Sequence, residues 1–281
     1  MKYINLNGKI FSESEKTISA TSRAVSYGDG CFETIRSYSG KFLNFEEHFE
    51  RLQAGLRYLE MKSELTEEKL RLEIQKLLEK NNLKNKDTVV RIQCFRKGKS
   101  GYFDLSEESV FVISTREVLV DTSDIKLKTV SVRAIPSISL ERKVKLSNSI
   151  NYIKAAQEAQ KKGVDDALML TVDGFISETT IANVFWIKED KISTPSVSCD
   201  LLPGVTRNNI ITMIKEDPAL TFLESEFKPD DIYNADAVFC TNSVMEIKAV
   251  SMVDDHSFDT QHTILSKLKK EFSAYKAENL N

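Results

Sequence analysis

An Asp173-Gly174 pair stands between two short apolar runs, residues 167–172 and 175–177. Asp-Gly supplies the positive φ angles of a two-residue hairpin turn, so the two runs are expected to pair as antiparallel strands. Turn signals at Asn7-Gly8, Gly28-Asp29-Gly30 and Ser39-Gly40 break residues 1–12 and 31–45 into alternating apolar and polar runs, which also read as strands. Helical spacing then takes over. Phe45, Phe49, Leu52, Leu56 and Leu59 recur at steps of four and three, one stripe of an amphipathic helix. Thr66 is placed to cap a second helix, with Glu67 and Glu68 in its first turn. Ser147 is expected to cap another that runs through Lys162, with Gly163 behind it. Residues 88–95, 110–114, 127–135, 183–187 and 237–241 read as further strands, and helices are expected over 206–215 and 259–276. This mixture predicts an α+β or α/β fold. The polar stretch 116–126 carries little periodicity and sets the expected boundary between a domain over residues 1–118 and a larger one over 119–281.

Charge excludes several functions. The 281 residues carry 39 basic and 42 acidic side chains, a formal charge of −3. That balance argues against a surface built to hold nucleic acid or anionic lipid, though a local basic pocket is compatible with it. No apolar run approaches a membrane span, and the start of the chain lacks the apolar core of a signal peptide, so a cytoplasmic protein is expected. Cys31, Cys94, Cys199 and Cys240 lie far apart, and with His48, His256 and His262 they form no metal-ligand spacing. They are expected to be free, mostly buried thiols.

Some residues carry chemistry by type and position. In Leu202-Pro203-Gly204-Val205-Thr206-Arg207 a glycine precedes a helix start, leaving backbone N–H groups beside a threonine hydroxyl. Such an end attracts anions, although Pro-Gly-x-Thr also opens helices merely as a cap. Glu178 shares a strand face with Ile176, at a sheet edge or held for a purpose. Arg91 stands in mid-strand, in phase with Val89, Gln93 and Phe95, as a structural ion pair or a fork for an anionic ligand. Arg51, between Phe49 and Leu52, allows the same two readings. Lys145 lies in a basic run with Arg142 and Lys143.

Taken in order, the motifs resemble the class IV (fold type IV) pyridoxal-phosphate aminotransferases, the group of branched-chain aminotransferases, D-amino-acid aminotransferases and aminodeoxychorismate lyase. They are Tyr27-Gly28-Asp29-Gly30-Cys31-Phe32-Glu33-Thr34-Ile35-Arg36, His48-x-x-Arg51-Leu52, Lys145-Leu146-Ser147-Asn148, Asp166-Ala167-Leu168 and Gly174-Phe175-Ile176-Ser177-Glu178. Asn183-Val184-Phe185, the Leu202–Arg207 turn and Asn242-Ser243-x-x-Glu246-Ile247 complete them. The resemblance implies a small N-terminal α/β lobe and a larger C-terminal lobe that binds pyridoxal 5'-phosphate between them. It also implies a homodimer whose partner lends a loop to the pocket, with residues 96–108 as the candidate loop.

By the same resemblance, Lys145 matches the lysine that forms a Schiff base with the cofactor and later moves a proton as catalytic base and acid. Glu178 matches the acid facing the pyridine nitrogen, and Arg51, Val205, Thr206 and Ser243, with Asn242, match the phosphate site. Arg91, Phe32 and Arg36 lean toward substrate binding of the branched-chain type. Val89, where branched-chain enzymes carry tyrosine, and the short loop Gly98-Lys99-Ser100-Gly101-Tyr102 depart from that type. The implied activity is transamination between an amino acid and a 2-oxo acid. The alternatives are aminodeoxychorismate lysis and a cofactor-binding protein without turnover. No metal, nucleic acid or membrane partner is expected.

Overall fold

A computed structural model describes residues 2–15, 18–98, 101–103, 105–119 and 121–281. The chain forms two compact units. One holds Met1–Val120 together with Val144–Asn148 and Asn279–Asn281; the other holds Asp121–Lys143 and Ser149–Glu278.

The first unit contains β1 (Tyr3–Leu6), β2 (Lys9–Ser12), α1 (Arg23–Tyr27), β3 (Gly30–Tyr38), β4 (Lys41–Phe42), α2 (Phe45–Tyr58), α3 (Glu67–Lys80), β5 (Thr88–Arg96) and β6 (Ser109–Glu117). Its strands pair antiparallel in the order β2-β1-β6-β5-β3-β4. The stripe foreseen on α2 is real: Phe45, Leu52 and Leu56 are buried, and they meet Leu70, Ile74, Leu77 and Leu78 of α3 over Ile35, Val90, Ile92 and Ile113 of the sheet. Thr66 caps α3 as expected, its hydroxyl accepting from the Lys69 N–H at 3.2 Å. The five-residue α1 was not legible. Ser22 opens it, and Gly28, left-handed at φ 64°, ends it before β3. Among the loop residues 96–108, Lys99, Ser100 and Asp104 lie outside the described residues.

The second unit follows with β7 (Ile125–Arg133), α4 (Ile150–Lys161), β8 (Asp166–Leu170), β9 (Ile176–Thr179), β10 (Asn183–Lys188), β11 (Lys191–Pro195), α5 (Val205–Glu216), β12 (Thr221–Ser225), α6 (Pro229–Tyr233), β13 (Ala237–Asn242), β14 (Glu246–Val253), β15 (His256–Ser257) and α7 (Thr263–Asn279). Its sheet runs β12-β11-β10-β13-β14-β7-β8-β9 with β15 on β14. The Asp173-Gly174 hairpin joins β8 and β9 antiparallel. β8, β9 and β10 are buried along almost their whole length, so they show no polar alternation.

One helix start departs from the sequence reading. Ser147 does not cap α4; the helix begins at Ile150 behind Ser149. The Ser147 N–H donates to the Gly30 carbonyl at 2.9 Å and the Lys145 carbonyl accepts from the Phe32 N–H at 2.9 Å. Residues 144–148 thus run beside β3 as a short antiparallel bridge, and their backbone polar groups are used there.

Candidate active site

In the first unit β3 has two distinct faces. Cys31, Glu33, Ile35 and Ser37 are buried, whereas Phe32, Thr34 and Arg36 lie on the other, half-open face. The β3–β5 register sets Phe32 opposite Gln93, Thr34 opposite Arg91 and Arg36 opposite Val89, so Arg91 shares the open face. Phe32 is its centre. The Arg91 guanidinium carbon lies 3.9 Å from the Phe32 ring centroid, and Lys145 Nζ, delivered by the bridge to β3, lies 4.8 Å from it. Burial pushes the Arg91 guanidinium below its usual value. It makes no ion pair among the described residues, so the stacked ring is what it rests on. Arg36, farther along the face, pairs with Asp87 at 2.6 Å and covers the Tyr38 ring at 4.6 Å.

On the buried face Glu33 is 1% exposed and sits under α2. Arg51 grips it with two hydrogen bonds, Nε to Oε1 at 2.6 Å and Nη2 to Oε2 at 2.9 Å. His48, one turn earlier on the same helix, meets Oε2 at 2.9 Å through Nδ1. Burial alone would raise this carboxyl; Arg51, aided by His48, holds it well below the usual carboxylate range. The i, i+3 spacing of His48 and Arg51 puts both on one helix stripe, which the heptad of apolar residues around them partly conceals.

In the second unit Glu178 is 5% exposed on β9. Tyr152 Oη donates to its Oε1 at 2.7 Å. The Leu202 N–H donates to Oε2 at 3.2 Å, and Asn183 Nδ2 reaches Oε2 at 3.3 Å while also donating to the Leu202 carbonyl at 2.8 Å. Glu178 is therefore tied to the chain just ahead of α5. Gly204, the residue before that helix, provides no side-chain cap, and Thr206 in the first turn is buried. A Cβ on Gly204 would lie 2.3 Å from Asn183 Oδ1, so only glycine lets Asn183 approach both Glu178 and the helix start. At the end of β13, Asn242 Oδ1 accepts from the Val244 and Met245 N–H groups at 2.8 Å, and Nδ2 donates to the Ile181 carbonyl. Its side chain closes the turn that presents Ser243.

The sequence-derived residues therefore form two groups. Phe32, Arg91 and Lys145 gather around one ring in the first unit, with Arg51 on the opposite face of the same strand. Glu178 is linked to the start of α5 in the second, with Asn242 and Ser243 on a turn. In the sequence Glu33 stands only as part of a motif and Arg142 only as part of the basic run, and Tyr152 carries no signal at all. Nothing in the linear pattern joins Tyr152 to an acid 26 residues later.

The sequence model of the amino-transferase class IV family matches residues 30–253. A Methanocaldococcus jannaschii protein named for branched-chain-amino-acid aminotransferase activity is 32% identical over 96% of this chain and 94% of its own. The chain belongs to the class IV aminotransferases. The aminodeoxychorismate lyase of Bacillus subtilis is 28% identical over 92% of this chain and 89% of its own. The branched-chain amino acid aminotransferase of Thermobaculum terrenum, solved in its PLP form, superposes with a TM-score of 0.87 at 23% identity, over 97% of this chain and 92% of that one. The fold is accordingly that of the fold type IV pyridoxal-phosphate enzymes.

As a member of this family, the chain has side chains of the right chemistry for the cofactor. A primary amine sits on an aromatic ring at Lys145, an acid with hydrogen-bonded oxygens is buried at Glu178, and α5 offers a first turn without a side-chain cap. These three features fit, respectively, an aldehyde, a protonated ring nitrogen and a phosphate.

Proposed function

We propose that this chain transfers an amino group between an amino acid of the branched-chain type and a 2-oxo acid, with pyridoxal 5'-phosphate held through Lys145. One observation carries the reading furthest. Arg91 is a half-buried cation with no carboxylate partner among the described residues, stacked on the same ring as the Lys145 amine. A substrate carboxylate on Arg91 would bring its Cα toward that amine, and Arg91's planar fork suits two carboxylate oxygens. Phe32 supplies apolar surface beside it, and Arg36, paired with Asp87, lies farther along the same face.

Bound, the cofactor supplies an electron-withdrawing ring that accepts the electron pair released at the substrate Cα. This chain supplies the rest. Lys145 would hold the cofactor, and its Nζ, once freed, would serve as the base for the substrate Cα proton. Glu178 holds the ring nitrogen protonated. Arg51, its plane set by Glu33, and Val205, Thr206, Ser243 and Asn242 would be the phosphate ligands, as the family resemblance implies. Four free, buried cysteines support a reducing, cytoplasmic setting. We read the active form as a homodimer, as the family resemblance implies.

The test is a donor panel read by the absorbance of the bound cofactor. Leucine, isoleucine or valine should bleach it and a 2-oxo acid restore it. Lys145→Ala should remove both turnover and the borohydride-reducible adduct. The similarity to a lyase supports a second reading, pyruvate release from aminodeoxychorismate. Processing of that compound alone, with no amino acid bleaching the absorbance, would establish it instead.

A further inference from the structure

The donors around Glu178 favour its charged form by their direction. Arg142 Nη2 donates to Tyr152 Oη, because a guanidinium has no acceptor to offer. That leaves the phenolic proton of Tyr152 for Glu178 Oε1, 2.7 Å away. On the other oxygen the Leu202 backbone N–H can only donate, and it does so at 3.2 Å. Both oxygens of Glu178 thus accept hydrogen bonds, an arrangement that favours the charged form of a carboxyl group.

Arg142 is 6% exposed and makes no ion pair among the described residues; its Nε is buried with no partner there. A buried guanidinium without a counter-ion is costly. The carboxylate it reaches is Glu178, through one hydroxyl. Burial and the adjacent Glu178 carboxylate also hold the Tyr152 hydroxyl well above its usual value, so it remains a donor.

We propose that Tyr152 is a positioning residue for Glu178: braced by Arg142, its hydroxyl orients the carboxylate and keeps it ionised toward the cofactor's ring nitrogen. The inference rests on the reading that Glu178 meets that nitrogen. It assigns Arg142 and Tyr152 a part in cofactor binding that acts through Glu178. The geometry also explains why a tyrosine, and not a phenylalanine, stands on this turn of α4. The ring alone could fill the space beside Arg142, but it could not pass a proton-donating contact from a guanidinium to a carboxylate.

A double-mutant cycle with the purified full chain tests it. Wild type, Tyr152→Phe, Glu178→Gln and the double variant are stripped of cofactor and titrated with pyridoxal 5'-phosphate. The readouts are the dissociation constant and the position of the bound-cofactor absorbance maximum. Tyr152→Phe is expected to weaken binding about tenfold and move the maximum in the direction that Glu178→Gln moves it. In the Glu178→Gln background the same change should cost less than about twofold. Equal losses in the two backgrounds, or a Tyr152→Phe protein within twofold of wild type, would overturn the proposal. If Glu178→Gln itself leaves affinity and absorbance unchanged, the underlying reading of Glu178 fails, which is a separate result. Should Tyr152→Phe not fold, Arg142→Gln replaces it in the cycle with the same expected and overturning outcomes.

Discussion

Glu33 is the residue on which charge is most finely balanced. It is buried and held below the usual carboxylate range by Arg51 and His48. Removing its charge leaves Arg51 without its partner, and Glu33→Gln should lower stability by about 3 kcal/mol at neutral pH, read from urea midpoints. The sign of the pH effect follows from linkage. Its folded-state value lies below the unfolded one, roughly 4.3, so as pH falls the unfolded chain takes up the proton first. The contribution is full above about pH 5 and is lost as pH drops toward the folded value. The gap between wild type and Glu33→Gln should therefore narrow from pH 5 to pH 3; a gap that stays constant would refute the assignment. Gly204 is a steric counterpart. Gly204→Ala puts a methyl 2.3 Å from Asn183 Oδ1 and should cost about 1–3 kcal/mol, with Asn183 pushed off Glu178 and cofactor affinity falling in parallel. At this scale, the residue types were legible from sequence and their partners were not. Glu178 was as compatible with an exposed sheet edge as with a held position, because Tyr152 on α4 and the Leu202 N–H ahead of α5 reach it from separate parts of the chain.

At the scale of elements, local signals worked where local forces decide. Thr66→Ala should destabilise by about 1 kcal/mol in thermal or urea unfolding, because the hydroxyl satisfies the Lys69 N–H at the start of α3. Ser147→Ala should change stability by less than about 0.5 kcal/mol, since that side chain caps no helix. A cost for Ser147 equal to that for Thr66 would restore the original reading of α4. The error there has a physical cause: Ser147 looks like a cap locally, but residues 144–148 exchange backbone hydrogen bonds with β3, more than a hundred residues earlier. The strands β11, β12 and β14 were missed for a related reason. β14 begins at Glu246 with a positive φ of 60°, behind a turn closed by Asn242, and has no counterpart of the glycines that mark the turns at Gly8, Gly40 and Gly174.

Across the whole molecule, the cysteines report on folding. Cys31, Cys94, Cys199 and Cys240 are free and buried, and burial raises each thiol, Cys94 to about 12. Native protein should react with a thiol reagent such as DTNB far more slowly than unfolded protein, which should release four equivalents per chain. Rapid labelling of the native state would contradict the burial. Light scattering in solution tests the homodimer, with twice the chain mass expected.

Sequence alone determined which pieces exist: the hairpin at Asp173-Gly174, the stripe of α2, the cap of α3, and an ordered set of motifs dense enough to imply the family. Each of these depends on residues within a turn or two of one another, or on chemistry that the order of motifs preserves. Only the tertiary structure decided that Lys145 and Arg91 both meet the Phe32 ring, that Arg51 is held by Glu33, and that Arg142 reaches Glu178 through Tyr152. Those contacts are made by burial, which brings distant groups together and obliges each buried polar atom to find a partner, and no local pattern records which partner it finds.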